Sequence, residues 1–267
     1  LEFRRVLFRS RGNYLIKPLK DLGCGAFGRV EKVEVYNTAG HLSGEYARKV
    51  LSVNPALLNE YFSVDDWKRR FKREVDYQAK CSHDHVVRIY IHHLNIEHPW
   101  FVMELAETDL KNELKSNTLS DDEKLLALKM VLSGVKYIHD EGLLHRDLKP
   151  ENILKFEGGC YKISDFGLIK SMDSKAQSDF LSGVLQDKKM GIGTVKYMSD
   201  EAKRGVYTQK SDIYALGVII SEMNLSHIDG ITTLIEKSAA FLPRTRYDSV
   251  DEMIEILDEI VAARRGK

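Results

Sequence analysis

Cysteine is scarce in this chain of 267 residues. The three present, Cys24, Cys81 and Cys160, are odd in number and form no C-x-x-C pair. That excludes a disulfide framework and a thiolate zinc site, and it fits a reducing compartment. Net charge is lacking too, because 40 Lys and Arg balance 40 Asp and Glu. No global basic field is available to gather nucleic acid. The apolar runs are too short for a membrane span. These absences point to the cytoplasm, or to cytosol or nucleus if the cell is eukaryotic. The opening stretch 1–12 is basic and apolar by turns and lacks the continuous apolar core of a signal peptide. It reads as a flanking tail, disordered or foreign to the domain that follows, with a membrane-surface role for its arginines as the rival reading.

A chain of this length can bury one large core or two lobes. His83, His85, His92, His93 and His98 crowd one region. A polar β-hairpin and its turn is a simpler reading of them than a metal cluster, and His145 reads as a packed core histidine.

Against this plain background two motifs stand out. Leu144–Asn152 reads L-H-R-D-L-K-P-E-N, and Ile163–Gly167 reads I-S-D-F-G. They supply a base (Asp147), a lysine close to it in sequence (Lys149) and two oxygen ligands (Asn152 and Asp165). Phosphoryl transfer with Mg²⁺ needs these parts. Upstream, Leu22–Val30 carries Gly23, Gly25 and Gly28 in the order G-x-G-x-x-G-x-V. Alone this also fits a dinucleotide fingerprint, which opens a helix and places an acid about twenty residues on. Here the loop runs instead into Val30–Tyr36, which alternates like a strand. The following strand carries Tyr46-Ala47-Arg48-Lys49-Val50, and Lys49 is suited to phosphate oxygens as a compact point charge.

Asp65–Tyr77 is helical in pattern, with Trp67, Phe71, Val75 and Gln78 on one face and Asp65 as the expected N-cap. Glu74 is the expected acid partner of Lys49, ahead of Asp76 and Glu60; the bland alternative is an exposed lattice of i,i+4 charge pairs. Ser120–Glu123 resembles a capping box and opens a helix with Val131, Val135 and Ile138 on its core face.

These motifs resemble the catalytic domain of a eukaryotic-type (Hanks-type) serine/threonine protein kinase, from about Tyr14 to about Ala262. The resemblance implies an α+β, bilobal kinase-like fold over residues 13–262. A small β-rich N-lobe with one main helix would span about 13–104, and a larger, mostly helical C-lobe about 105–262. The C-lobe reads as shortened, because the helix around 211–223 is followed almost at once by the segment 231–241, where relatives insert their helix G. By resemblance, Asp147 is the catalytic base and Lys149 steadies the γ-phosphate. Lys49 and Glu74 form the activating ion pair, and Thr194 ties the substrate-binding segment to Asp147 and Lys149. Asn152 and Asp165 hold Mg²⁺. Leu22, Gly23, Gly25, Gly28, Val30, Ala47, Lys49 and Leu154 surround ATP, behind a Met103 gatekeeper. The backbone of Glu104 and Ala106 meets adenine. Asp109 either accepts from the ribose or caps a helix. Asp212 anchors the catalytic loop.

The implied activity is ATP-dependent phosphorylation of serine or threonine hydroxyls on protein substrates, without nucleic acid partners. The rivals are a nucleotide-binding pseudokinase or scaffold, which usually loses the lysine, base or metal acid, and a small-molecule kinase, which generally lacks G-T-x-x-Y-M. Departures from the family pattern are Ser199-Asp200-Glu201 in place of A-P-E, with Arg246 as the expected partner of Glu201, and polar Gln78 where relatives pack an apolar side chain. Arg146 suggests pairing with a phosphate on the segment Ser171–Met190. Met190 occupies the usual phosphosite, so autophosphorylation is expected at Ser182, with Ser178 second, aided by Lys188 and Lys189.

Overall fold

The computed structural model describes residues 9–11, 14–24, 28–53, 63–172 and 195–266. The chain divides into two compact units, residues 1–80 with 87–106, and residues 81–86 with 107–267. The division after Ala106 lies close to the expected lobe boundary. The segment 81–86, expected in the N-lobe, belongs instead with the second unit. Its backbone is the reason: the Ile163 amide donates to the His85 carbonyl at 2.9 Å, Val86 bridges in parallel to Ile163, and the Ser82 amide donates to the Tyr137 hydroxyl at 2.9 Å.

The first unit is built on a six-stranded antiparallel sheet. Its strands are β1 (Arg9–Arg11), β2 (Tyr14–Cys24), β3 (Gly28–Asn37), β4 (Leu42–Leu51), β5 (Ile89–His93) and β6 (Trp100–Met103), ordered β1-β2-β3-β4-β6-β5. Alternation places Ile16, Val33, Val35, Trp100 and Val102 in one buried cluster. Within the stretch 1–12, expected to be a flanking tail, the described residues Arg9–Arg11 form β1 and pair with Tyr14–Ile16. An edge strand offers unpaired backbone groups to any neighbouring segment, whatever its side chains.

Helix α1 (Val64–Gln78) buries Trp67, Phe71, Val75 and Gln78, the face read from the sequence, and Phe71 meets Phe101 with ring centroids 5.3 Å apart. Its cap is Ser63, not Asp65. The Ser63 hydroxyl accepts from the Asp66 amide at 3.2 Å while Asp66 Oδ2 accepts from the Ser63 amide at 2.9 Å. Asp65 instead falls in the first turn, where a carboxylate suits the helix dipole.

The second unit is mostly helical: α2 (Leu110–Ser116), α3 (Asp121–Asp140), α4 (Asp200–Lys203), α5 (Gln209–Glu222), α6 (Ile231–Ser238) and α7 (Val250–Arg265). Short strands decorate it. β7 (Thr108–Asp109), β9 (Ile153–Phe156) and β10 (Cys160–Ile163) form one small sheet, and β8 (Leu143–Leu144) pairs with β11 (Lys170–Ser171). The expected capping box opens α3, with Ser120 and Glu123 bonded reciprocally. Leu128, Val131, Leu132, Val135 and Ile138 of α3 are fully buried.

Between α5 and α6 lie only residues 223–230, and no further helix intervenes among the described residues. The C-lobe is shortened, as the spacing of the two helical segments in the sequence predicts. The two helices can close up because Gly217 has no side chain; a Cβ there would stand 2.8 Å from the Ala239 amide nitrogen and 2.8 Å from Ser238 Cβ.

Arg246 ties this region together. Its guanidinium meets Glu201 with Nη1–Oε1 at 2.5 Å and Nη2–Oε2 at 3.2 Å. It also donates to the carbonyls of Ala240 at 2.7 Å, Lys210 at 2.9 Å and Phe241 at 3.1 Å. A buried, bidentate and fully hydrogen-bonded pair stands or falls as a unit. Removing one partner strands the other charge, so Arg246→Ala is expected to destabilise the chain by about 3–5 kcal/mol in chemical denaturation. A loss below about 1 kcal/mol would contradict this account of the hub.

Candidate active site

The sequence-predicted residues fall into two groups, one in each unit. In the first unit they stand on the β2–β3 hairpin, β4 and α1. Leu22 and Gly23 lie near the end of β2 and Gly28 opens β3, while Gly25 is outside the described residues. Gly28 sits against β4, since a Cβ there would be 3.0 Å from the Val50 carbonyl oxygen and 3.5 Å from Lys49 Cγ. Val30 is in register with Lys49, and Ala47 with Met103. The Lys49 ammonium bonds Glu74 Oε1 at 2.6 Å, both side chains being largely buried, and stands 5.9 Å from the Phe101 ring centroid. Glu74 is the acid that the fold places on Lys49. Asp76 instead pairs with Lys72 at 2.6 Å on the exposed face, and Glu60 is outside the described residues.

Gln78 is fully buried one turn after Glu74 and donates to the Val87 carbonyl at 3.0 Å. Its polar head is thus anchored on backbone. Beyond β6, the Glu104 amide donates to the Arg88 carbonyl at 3.3 Å and its carboxylate accepts from the Arg88 amide at 2.9 Å. This pair fixes the chain that leads to Ala106.

The second unit holds the catalytic-loop residues. Two consecutive amides, those of His145 and Arg146, donate to the two oxygens of Asp212 at 2.9 Å each. His139 Nε2 stands 2.9 Å from the same carboxylate. Asp212 is buried on α5, as the anchoring role requires. Burial pushes its carboxyl upward, but the hydrogen bond from His139 and the positive surroundings outweigh this and hold it below the usual range. The turn is demanding, because Arg146 has a φ of 71°, unusual for a residue with a side chain. His145 is packed in the core as expected, with Nε2 3.0 Å from the Ser164 carbonyl oxygen and its ring 5.5 Å from that of Phe166.

Next in the chain, Asp147 Oδ2 receives the Lys149 ammonium at 2.7 Å and the Asn152 amide nitrogen at 3.1 Å. Asn152 Nδ2 also donates to the Asp147 carbonyl at 2.8 Å. Burial raises the Asp147 carboxyl above its ordinary range, Lys149 opposes this, and the negative charge of Asp165 adds to it. Asp165 opens its turn at a φ of 62° and accepts from the Gly167 amide at 3.4 Å. With the Asn152 nitrogen turned to Asp147, its oxygen and the Asp165 carboxylate are hard donors of the kind Mg²⁺ takes. The donor set therefore fits that ion.

Leu154 lies on β9 in register with Asp109. Asp109 itself caps α2, with Oδ1 accepting from the Asn112 amide at 2.9 Å and Oδ2 from the Asn112 side chain at 2.8 Å. Of the two readings open for Asp109, the capping role is the one seen. Thr194, Ser178, Ser182, Lys188, Lys189 and Met190 lie outside the described residues. Sequence reasoning missed His139. Its position, six residues before His145 at the end of the predicted core helix, was the available signal.

The sign of the Asp212 shift sets a pH dependence. Unfolded, this carboxyl titrates near about 3.9; folded, it titrates lower. Its contribution is present above the unfolded value and lost as pH falls through the folded one. Urea unfolding between about pH 7 and pH 3 is expected to show a steeper acid loss in the parent than in Asp212→Asn, whose neutral amide cannot titrate. Equal slopes would remove Asp212 as the source.

A family model described as a protein kinase domain matches residues 16–231. Serine/threonine-protein kinase PknL of Mycobacterium tuberculosis (strain CDC 1551 / Oshkosh) is 31% identical over 220 residues, covering 78% of this chain and 52% of the relative. Serine/threonine-protein kinase PrkC of Bacillus subtilis (strain 168) is 32% identical over 218 residues, 80% of this chain and 31% of the relative. Probable serine/threonine-protein kinase PknB of Lactococcus lactis subsp. lactis (strain IL1403) is 30% identical over 251 residues, 92% of this chain and 36% of the relative. The chain spans about half the length of the first of these curated relatives and about a third of the other two. With the Lys49–Glu74 pair and the Asp212-anchored loop in place, the chain belongs to the protein kinase family, as a Hanks-type catalytic domain.

Proposed function

We propose that this domain transfers the γ-phosphate of ATP to serine or threonine hydroxyls of proteins. The observation that carries the reading is the set of contacts on Asp147. A half-buried carboxylate bonded to Lys149 at 2.7 Å and oriented by Asn152 is arranged to accept a proton at Oδ1 or Oδ2 from an incoming hydroxyl. Lys149 then offsets negative charge on the transferred phosphoryl oxygens. Lys49, held by Glu74, does so at the remaining phosphates. Mg²⁺ bound through Asn152 and Asp165 would neutralise charge on the phosphate oxygens as the reaction proceeds. In this reading Gly23, Gly25, Gly28, Leu22, Val30, Ala47 and Leu154 enclose the nucleotide, and the backbone at Glu104 and Ala106 meets adenine. Thr194 orients the acceptor segment.

Serine or threonine acceptors follow from Lys149, two residues past the base. Ser182 and Ser178 are the proposed sites of autophosphorylation, and the cytoplasm is the proposed location. No helix among the described residues is long and apolar enough to cross a membrane.

The test is transfer from labelled ATP with Mg²⁺ to a general protein acceptor. Asp147→Asn and Lys49→Ala are each expected to lower turnover by at least about 100-fold. Asp165→Asn should lower Mg²⁺-dependent turnover most, because an amide replaces a carboxylate beside a divalent ion. Parental rates in Lys49→Ala and Asp147→Asn would refute the mechanism. A second measurement, phosphoamino-acid analysis of the labelled acceptor, is expected to yield phosphoserine and phosphothreonine; mainly phosphotyrosine would overturn the acceptor class.

A further inference from the structure

Arg146 is the residue next to the proposed base, and its backbone is under strain at a φ of 71°. Its amide is held by Asp212 Oδ1 at 2.9 Å. Its side chain is buried, and a buried cation needs a compensating group. Tyr207 supplies one, with the guanidinium carbon over its ring 4.1 Å from the centroid. At that distance the negative face of a ring attracts a desolvated guanidinium.

These two contacts on Arg146 share one source. Thr208 is the N-cap of α5, and Asp212 lies in the first turn of that helix. Tyr207 is the residue immediately before the cap. The start of α5 therefore grips Arg146 twice, by its backbone through Asp212 and by its side chain through Tyr207. Arg146, Asp147, Tyr207 and Asp212 line one small cavity. A grip on Arg146 is transmitted to Asp147 through a single peptide plane.

We propose that Tyr207 is a positioning residue for phosphoryl transfer: its ring face clamps Arg146 and thereby fixes the Asp147 carboxylate, so that the loop is held without a phosphate on Arg146. This rests on the phosphotransfer reading above. The ring face is the larger part of this contact, and the Tyr207 hydroxyl interacts with Arg146 as well, so losing the ring is expected to cost far more than losing the hydroxyl.

The test uses the full chain after phosphatase treatment. Tyr207→Phe, Tyr207→Leu and Tyr207→Met are compared with the parent for kcat, KM for ATP and thermal midpoint. Tyr207→Phe is expected to keep kcat within about twofold, whereas Tyr207→Leu and Tyr207→Met lose about tenfold or more, equivalent to about 1.4 kcal/mol. KM for ATP should move little. In an Arg146→Met background, Tyr207→Leu should add nothing further. If Tyr207→Leu does not fold, Tyr207→Met and the double variant decide.

Parental kcat in the folded Leu and Met variants would overturn the clamp. So would equal damage from Tyr207→Phe, or loss of parental activity on phosphatase treatment. Nitrogen-15 spectra of the Arg146 side chain separate this inference from the reading beneath it. Ring-current-shifted resonances in the parent and Tyr207→Phe, unshifted in Tyr207→Leu, establish the clamp even if no acceptor is phosphorylated; unshifted resonances in the parent overturn it.

Discussion

One buried carboxylate organises the catalytic loop. Asp212 accepts from the His145 amide, the Arg146 amide and His139, and no apolar side chain could replace it. The loop must pass through a left-handed turn at Arg146, leaving consecutive amides pointing the same way. Two converging N–H groups form a small anion site, and a carboxylate on a rigid helix fills it without rearrangement. Desolvating that charge is expensive in isolation, and the donors around it reverse the balance. Everything the loop carries, from Asp147 to Asn152, inherits its position from this contact.

The first unit solves a comparable problem with an ion pair. Lys49 stands on a strand and Glu74 on α1, and their 2.6 Å contact ties the helix to the sheet at the point where the apolar contact of Phe71 with Phe101 also does so. Packing and charge agree on one placement of the helix. Gln78, a turn later, adds a side-chain bond to backbone. That bond depends on direction as well as on volume, as a purely apolar contact would not.

Much of this could be read from residue order. The strands around the glycine loop, the apolar face of α1, the box at Ser120 and Glu123 and the partner of Lys49 all depend on local periodicity or on short motifs, and the sequence carries both. What escaped depends on features it records poorly. Ser63 and Asp65 are both good cap residues, and only the reciprocal bond between Ser63 and Asp66 separates them. β1 is held by backbone pairing, which leaves no side-chain pattern. The segment 81–86 was assigned by its place in the chain, whereas its partners, Tyr137 and Ile163, lie far along it. Asp109 has two compatible roles, and the cap on α2 is the one the fold displays. Tyr207 sits in an irregular stretch where periodicity has nothing to say.

The scarcity of cysteine gives the molecule a usable asymmetry. Cys81 is buried, and burial, followed by the nearby Glu141 charge, pushes its thiol up to about 11. On the order of one molecule in ten thousand then carries that thiolate at neutral pH, and the thiolate is the nucleophile. Cys24 is exposed at the end of β2, beside the glycine loop. A maleimide or fluorophore reagent at modest excess should distinguish these two thiols by access, with the raised Cys81 thiol slower still. The strand that leads into the nucleotide loop thus already carries a native attachment point for a reporter dye.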